Sequence, residues 1–119
     1  MTKDLASANN VGIDMALGEF ELMVLLAVAR LEEVASAMPI RDEIVRRTDR
    51  AVARGAIYVT LDRLVRKGLL RAHQAEAGPN RGGRPSRIYG LTASGLAATR
   101  ESIIALRKMQ RGLSLAPDL

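Results

Sequence analysis

At Gly68 the chain changes its period, and that change restricts the folds open to it. Before this glycine the apolar residues recur at helical spacing. After it, "LLRAHQA" (69–75) and "RIYGL" (87–91) are strand-length segments on either side of "GPNRGGRPSR" (78–87), a run without a carboxylate or a hydrophobic side chain. Two such segments around a Gly/Pro/Arg run predict a two-stranded hairpin with a long loop. Gly68 itself falls where a helix wants a left-handed C-terminal cap.

Upstream, three helices are predicted. From Leu17 to about Val34, Leu22, Leu25, Leu26 and Ala29 share one face while Met23, Val24, Val28 and Leu31 share another. A helix apolar nearly all round is buried on two sides, and a chain of 119 residues has little with which to cover both. A second subunit is the natural cover. Pro39 suits a first helical turn, and Ile40, Ile44 and Val45 give residues 38–48 a narrow apolar stripe. From Arg54 to Lys67, Ile57, Leu61, Leu64 and Val65 again keep helical spacing. Beyond the hairpin, Thr92 can cap a last helix running from Ala93 to about Leu113, with Leu96, Ile103, Leu106 and Leu113 near a heptad seam. This seam also wants a partner helix.

The expected fold is therefore mainly α with a small β-hairpin (α+β): a winged helix-turn-helix with an extra C-terminal dimerisation helix. Its expected divisions are a loose arm at 1–16, the winged domain at 17–91, and the last helix and tail at 92–119. The expected dimer interface takes Leu17, Phe20, Val24 and Val28 from the first helix and Leu96, Ile103 and Leu106 from the last.

Charge points to the partner. The chain carries a net +5, and residues 41–87 alone hold twelve Lys and Arg against five Asp and Glu, a net of +7. Clustered positive charge favours an anionic surface. With Ile57, Leu61 and Leu64 turned inward, the third helix turns Arg54, Gly55, Tyr58, Asp62, Arg63 and Arg66 outward or to the flanks, as a helix laid in a major groove would. Arg54 and Arg63 are the expected groove or backbone contacts, Thr60 is a further candidate, and Gly55 removes a side chain where backbone comes close. A solvated helix face with Asp62 paired to Arg66 is the competing reading. Arg81, Arg84 and Arg87 in the hairpin, with a wing at 76–87, can follow a phosphate backbone or enter a minor groove.

The stretch "GAIYVTLDRLVRKGLL" (55–70) resembles the recognition helix of the PadR-like family of bacterial transcriptional regulators, through Gly55, Ile57, Tyr58, Leu61, Leu64, Gly68 and Leu69. "LGEFELMVLLAVARL" (17–31) resembles that family's first helix, and "GGRPSRIYGLTASG" (82–95) its wing, second strand and the start of its last helix. The resemblance implies a homodimeric repressor on a palindromic operator in double-stranded DNA, and it shifts Tyr58 from a half-buried anchor toward a phosphate contact. Three departures stand out. Ser36 and Ala37 replace the family's Tyr-Gly pair, Ala53 replaces a capping Ser, and of the rings that line an effector pore in relatives sensing aromatic compounds only Phe20 is present. A small-molecule effector stays open as a partner, unidentified.

A winged-helix module docking its basic face on an acidic protein is the rival function. An enzyme is disfavoured: cysteine is absent and His73 is the only histidine. Neighbouring carboxylates such as Glu32–Glu33 and Asp42–Glu43 do not face each other on a helix, and no spacing for metal ligands or for a phosphate-binding loop occurs. No cofactor or metal is expected. "MTKDLASANN" lacks the apolar centre of a signal peptide, and the longest apolar run, Leu22–Ala29, is too short for a bilayer. A cytoplasmic protein without a membrane partner is the expectation.

Overall fold

A computed structural model of the chain describes residues 17–75 and 86–115. Among these residues, four helices and one antiparallel hairpin follow in the order α1 (Glu19–Leu31), a single 3-10 turn (Glu32–Val34), α2 (Ala37–Thr48), α3 (Arg54–Arg66), β1 (Leu70–Ala75), β2 (Ser86–Leu91) and α4 (Ala93–Gln110). This is the winged helix-turn-helix with an additional C-terminal helix. The N-terminal arm, most of the wing loop and the last four residues lie outside the described residues.

The core forms where α1, α2 and α3 meet. Val24, Leu25, Ile40, Ile57, Leu61 and Leu64 are all without solvent exposure. The hairpin closes one side: Leu70 pairs with Leu91 and Ala75 with Ser86 at its two ends, and the Tyr89 amide donates to the Ala35 carbonyl at 2.8 Å, which fastens β2 to the turn ahead of α2. Between α2 and α3 the chain reverses through Asp49, whose φ of 59° is a conformation Asp tolerates better than most residues. Arg41 Nε donates to the Val52 carbonyl at 2.7 Å, and Arg50 grips Glu19 of α1 with two hydrogen bonds of 2.9 and 3.0 Å. The connection is therefore held from both ends, and the angle between α2 and α3 with it.

Helix ends follow local chemistry. α1 stops three residues before the expected Val34 because Glu32 takes a positive φ of 51° and the chain tightens into a 3-10 turn. α4 stops at Gln110 rather than Leu113, two residues ahead of Gly112 at φ 87°. α3 ends as its glycine predicts: Gly68 has φ 78°, its amide donates to Val65 O, and the Leu69 amide donates to Leu64 O, both at 3.0 Å. These two bonds make a Schellman cap. Gly68→Ala is expected to cost about 1–2 kcal/mol, the penalty of a left-handed non-glycine residue, measured as a urea midpoint shift at constant slope.

Two expectations for the subunit interface are corrected. Val24 and Val28 are 0% and 2% exposed within one chain, so they belong to its own core and have no surface to offer a second copy. The phase of α1 is the reason: α2 and α3 take the face that carries Val24, Leu25 and Val28, and Leu26 and Ala29 are what α1 leaves exposed. On α4 Ala98 joins the core, but most of the large apolar residues stay uncovered. Leu96, Ile104, Leu106 and Met109 are exposed and Ile103 is half-buried, while Leu17 and Phe20 are half-buried against the core.

Candidate nucleic-acid interface

α3 separates two faces. Ile57, Leu61 and Leu64 are sealed inside, while Arg54, Gly55, Tyr58, Val59, Asp62, Arg63 and Arg66 look out. Thr60 does not: at 4% exposure it lies on the inner face with Ile57 and Leu61, three and one residues away, and cannot contact a partner from there. Tyr58 is half exposed, which leaves room for both the half-buried anchor and a phosphate contact. Val59 is exposed by more than half, a position that periodicity alone did not single out.

Nothing among the described residues demands a glycine at position 55. A Cβ built there meets no atom within 4 Å, and its φ is not positive. A glycine inside a helix costs about 1 kcal/mol against alanine, so the fold alone gives no reason for it. The start of α3 is also bare. Ala53 is extended at φ −73°, ψ 145° and makes no side-chain cap, which leaves the first amides of the helix unanswered by a capping side chain. Unsatisfied amides at a helix start, together with the helix dipole, attract anions.

The positive charge of residues 41–75 is mostly answered within the chain. Glu43, nearly buried on α2, takes Arg46 at 2.7 Å and Arg47 through a second short bond, which together hold its carboxyl below the usual range. Arg66 pairs with Asp62 at 2.7 Å. Glu21 of α1 reaches across to α3's end, accepting from the Gly18 amide at 3.1 Å and from Lys67 Nζ at 3.0 Å, with Arg63 at 3.8 Å. Burial pushes the Glu21 carboxyl up, but the Gly18 amide, Lys67 and Arg63 outweigh it and leave the group below its ordinary value. Arg71 donates to the Leu91 carbonyl at 2.9 Å. Among the described residues of this segment, Arg54 is the cation with neither a carboxylate nor a hydrogen-bond partner, and it stands at the bare helix start.

Beside α3 a cleft of about 500 Å³ opens between Ser36 and Met38 at the start of α2, Tyr58 and Asp62 on α3, and Arg87 and Tyr89 on β2. Ala37 lines it beside Ser36. The Arg87 guanidinium lies 5.6 Å from the centre of the Tyr89 ring, within cation–π reach. Burial pushes the Tyr89 phenol up, against the opposing effect of Arg87. Arg54, Gly55, Tyr58 and Arg63 are thus all exposed on α3, and Tyr58 shares the cleft with Arg87 at the base of the wing. Arg81 and Arg84 lie outside the described residues.

A family model described as "Transcriptional regulator PadR-like family" matches residues 25–101. A solved PadR-like transcription factor from Bacteroides fragilis is similar with a TM-score of 0.65 and 22% identity, over 90% of this chain and 92% of that one. A PadR family transcriptional regulator from Eggerthella lenta gives 0.62 and 20%, over 92% and 89%. F93 from the virus STIV, described as a winged-helix DNA-binding protein, gives 0.60 and 22%, over 76% and 90%. No curated protein sequence matches the chain significantly.

Proposed function

The chain belongs to the PadR-like family of transcriptional regulators, and from that membership and the surface of α3 we propose that it is a homodimeric repressor which binds a palindromic operator in double-stranded DNA. The observation that carries this reading is the division of α3: an inner face almost without exposure, and an outer face on which Arg54 has no partner among the described residues, beside an uncapped helix start. In this reading Arg54 and the first amides of α3 meet a backbone phosphate, Gly55 lets the groove edge approach, Arg63 reads bases, and Tyr58 and Arg87 hold the phosphates between α3 and the wing. F93, a DNA-binding protein of the same fold, supports the partner class.

Arg63 then has two claimants. Its contact with Glu21 is long, at 3.8 Å, and Lys67 already serves that carboxylate. Release of Arg63 toward a base therefore leaves no unpaired charge behind. The two α3 helices of a dimer would enter successive major grooves about 34–36 Å apart, with Leu96, Ile103 and Leu106 of α4 and the half-buried Leu17 and Phe20 near the two-fold axis. Val24 and Val28 have no part in that interface. A cytoplasmic place follows from the DNA partner, and the chemistry of the site calls for no metal or cofactor.

The test is selection of duplexes from a random library, followed by binding of the selected duplex at several salt concentrations. Wild-type affinity should fall steeply with salt, and Arg54→Ala should reduce the slope of log K against log salt by about one. Arg81→Ala with Arg84→Ala should reduce it by about two, equally for all sequences, whereas Arg63→Ala should change sequence preference. No salt-dependent binding near micromolar concentration would move the function to a protein-docking module.

A further inference from the structure

Two residues, Gly68 and Leu69, separate the cap of α3 from β1, and all four of their backbone polar groups are committed. Their amides face back: Gly68 N–H donates to Val65 O and Leu69 N–H to Leu64 O, both at 3.0 Å. Their carbonyls face forward to the start of α4. Thr92 Oγ1 donates to Gly68 O at 2.6 Å, and the Thr92 amide donates to Leu69 O at 3.1 Å. The same Thr92 hydroxyl accepts from the Gly95 amide at 2.9 Å as the cap of α4. One dipeptide therefore joins the end of α3 to the first turn of α4 through main-chain groups.

Gly95 makes the joint tight. A Cβ on Gly95 would stand 2.0 Å from the Leu69 carbonyl oxygen and 3.0 Å from its carbon, so α4 touches the Leu69 backbone directly and only glycine leaves room. Leu69 is fully enclosed and cannot give way. Thr99 Oγ1, itself buried, donates to Gly95 O at 2.7 Å and stiffens the turn that makes the contact. Apolar packing between helices tolerates sliding, but a main-chain contact at this separation has one position.

The length of α4 gives the joint its importance. Eighteen residues extend it by about 27 Å at 1.5 Å per residue. A tilt of about 7° at its base moves its far end by roughly 3.4 Å, the rise of one base pair. Most of that far half is exposed and carries Ile104, Leu106 and Met109. If copies meet there, the angle at the joint fixes how far apart the two α3 helices stand.

Resting on the proposed reading as a DNA-binding dimer, we infer that the Thr92–Gly95 clasp on the Gly68–Leu69 backbone is the ruler of the operator: it sets the spacing between half-sites and leaves the half-site sequence to α3. Thr92 and Gly95 are positioning residues, since neither reaches the outward face of α3. The clasp predicts a separation of effects that a merely stabilising contact would not give.

The experiment repeats the library selection with wild type, Thr92→Ser, Thr92→Ala and Gly95→Ala, each first checked for cooperative thermal unfolding. All four should select the same half-site. Wild type and Thr92→Ser, which keeps the hydroxyl, should prefer one spacer. Thr92→Ala should accept a wider range of spacers, and Gly95→Ala should shift its preference by one base pair or more. Affinity for the wild-type spacer should fall at least tenfold in both, with less than twofold change on a duplex holding one half-site. If Gly95→Ala does not fold, Thr92→Ala decides the matter.

An unchanged, sharp spacer preference in the folded variants overturns the inference and leaves the DNA-binding reading standing. So does a wild-type protein that selects paired half-sites at no fixed spacing. A wild-type protein that selects no duplex overturns both.

Discussion

Leu61→Ala is expected to lower the unfolding free energy by about 2–5 kcal/mol, the range for emptying a buried leucine site. Leu61 has no exposure and sits mid-helix in α3 on the face shared with Ile57 and Leu64, where α1, α2 and α3 converge. The surroundings cannot collapse easily into the space, because α3 is fixed at its end by the Gly68 cap and the turn before it is held by Arg41 on Val52. For a small domain whose whole stability is about 5–15 kcal/mol, such a loss lowers Tm by something of the order of 10 °C or more. Val59→Ala is the matched control: it removes an apolar residue from the same helix but from a position more than half exposed, where changes stay near ±0.5 kcal/mol. Thermal unfolding at one protein concentration compares the two. A Leu61→Ala loss no larger than that of Val59→Ala would mean that the inner face of α3 is not the centre of the core.

The same pair of residues illustrates what the sequence could convey. Ile57, Leu61 and Leu64 repeat at helical spacing, so their common face, and the outward set opposite it, were legible from one strand of text. Gly68 was legible for a related reason: only glycine takes φ 78° without strain, and its place after a periodic run leaves few interpretations. The hairpin was legible through its change of period, to within one residue at each observed boundary. Thr60 was not, because a threonine reads as polar whichever way it points, and only the packing of α3 shows it to be enclosed.

Val24 and Val28 failed for a deeper reason. A helix apolar nearly all round does not announce which side the monomer takes and which it leaves for a partner; that is settled by where α2 and α3 land. The charge count misled in a similar way. Seven of the nine cations between residues 41 and 75 meet a carboxylate in the folded chain: Arg41, Arg46, Arg47, Arg50, Arg63, Arg66 and Lys67. Pairs such as Arg46 with Glu43 can be guessed from helical spacing, but Lys67 with Glu21 spans 46 residues and exists only through tertiary packing. Net charge therefore overstated how many arginines of this third of the chain stand free. Among the described residues from 41 to 75, the fold leaves Arg54, at the bare start of α3, without an ion-pair or hydrogen-bond partner, and composition could not distinguish it from its neighbours.

Ile103→Glu with Leu106→Glu is expected to leave a folded monomer. Both lie in the part of α4 beyond the turn fixed by Gly95; Leu106 is exposed and Ile103 half-buried, so new carboxylates there disturb little of the single-chain core. Across a two-fold axis each would face its own copy, and apposed charges in an apolar seam cost far more than they do in water. The consequence for binding is larger than the loss of any one contact. Two reading heads joined through α4 convert the second half-site into an intramolecular partner, a gain of about 10²–10⁴ in affinity without a new contact. Wild type is expected to sediment as a dimer, and the double variant at the same concentrations as a monomer. It should bind the paired operator at least a hundredfold more weakly while retaining wild-type affinity for one half-site. A variant that stays dimeric would place the subunit interface elsewhere, on the α1 surface marked by Leu26 and Ala29, and the length of α4 would no longer govern the distance between the two α3 helices.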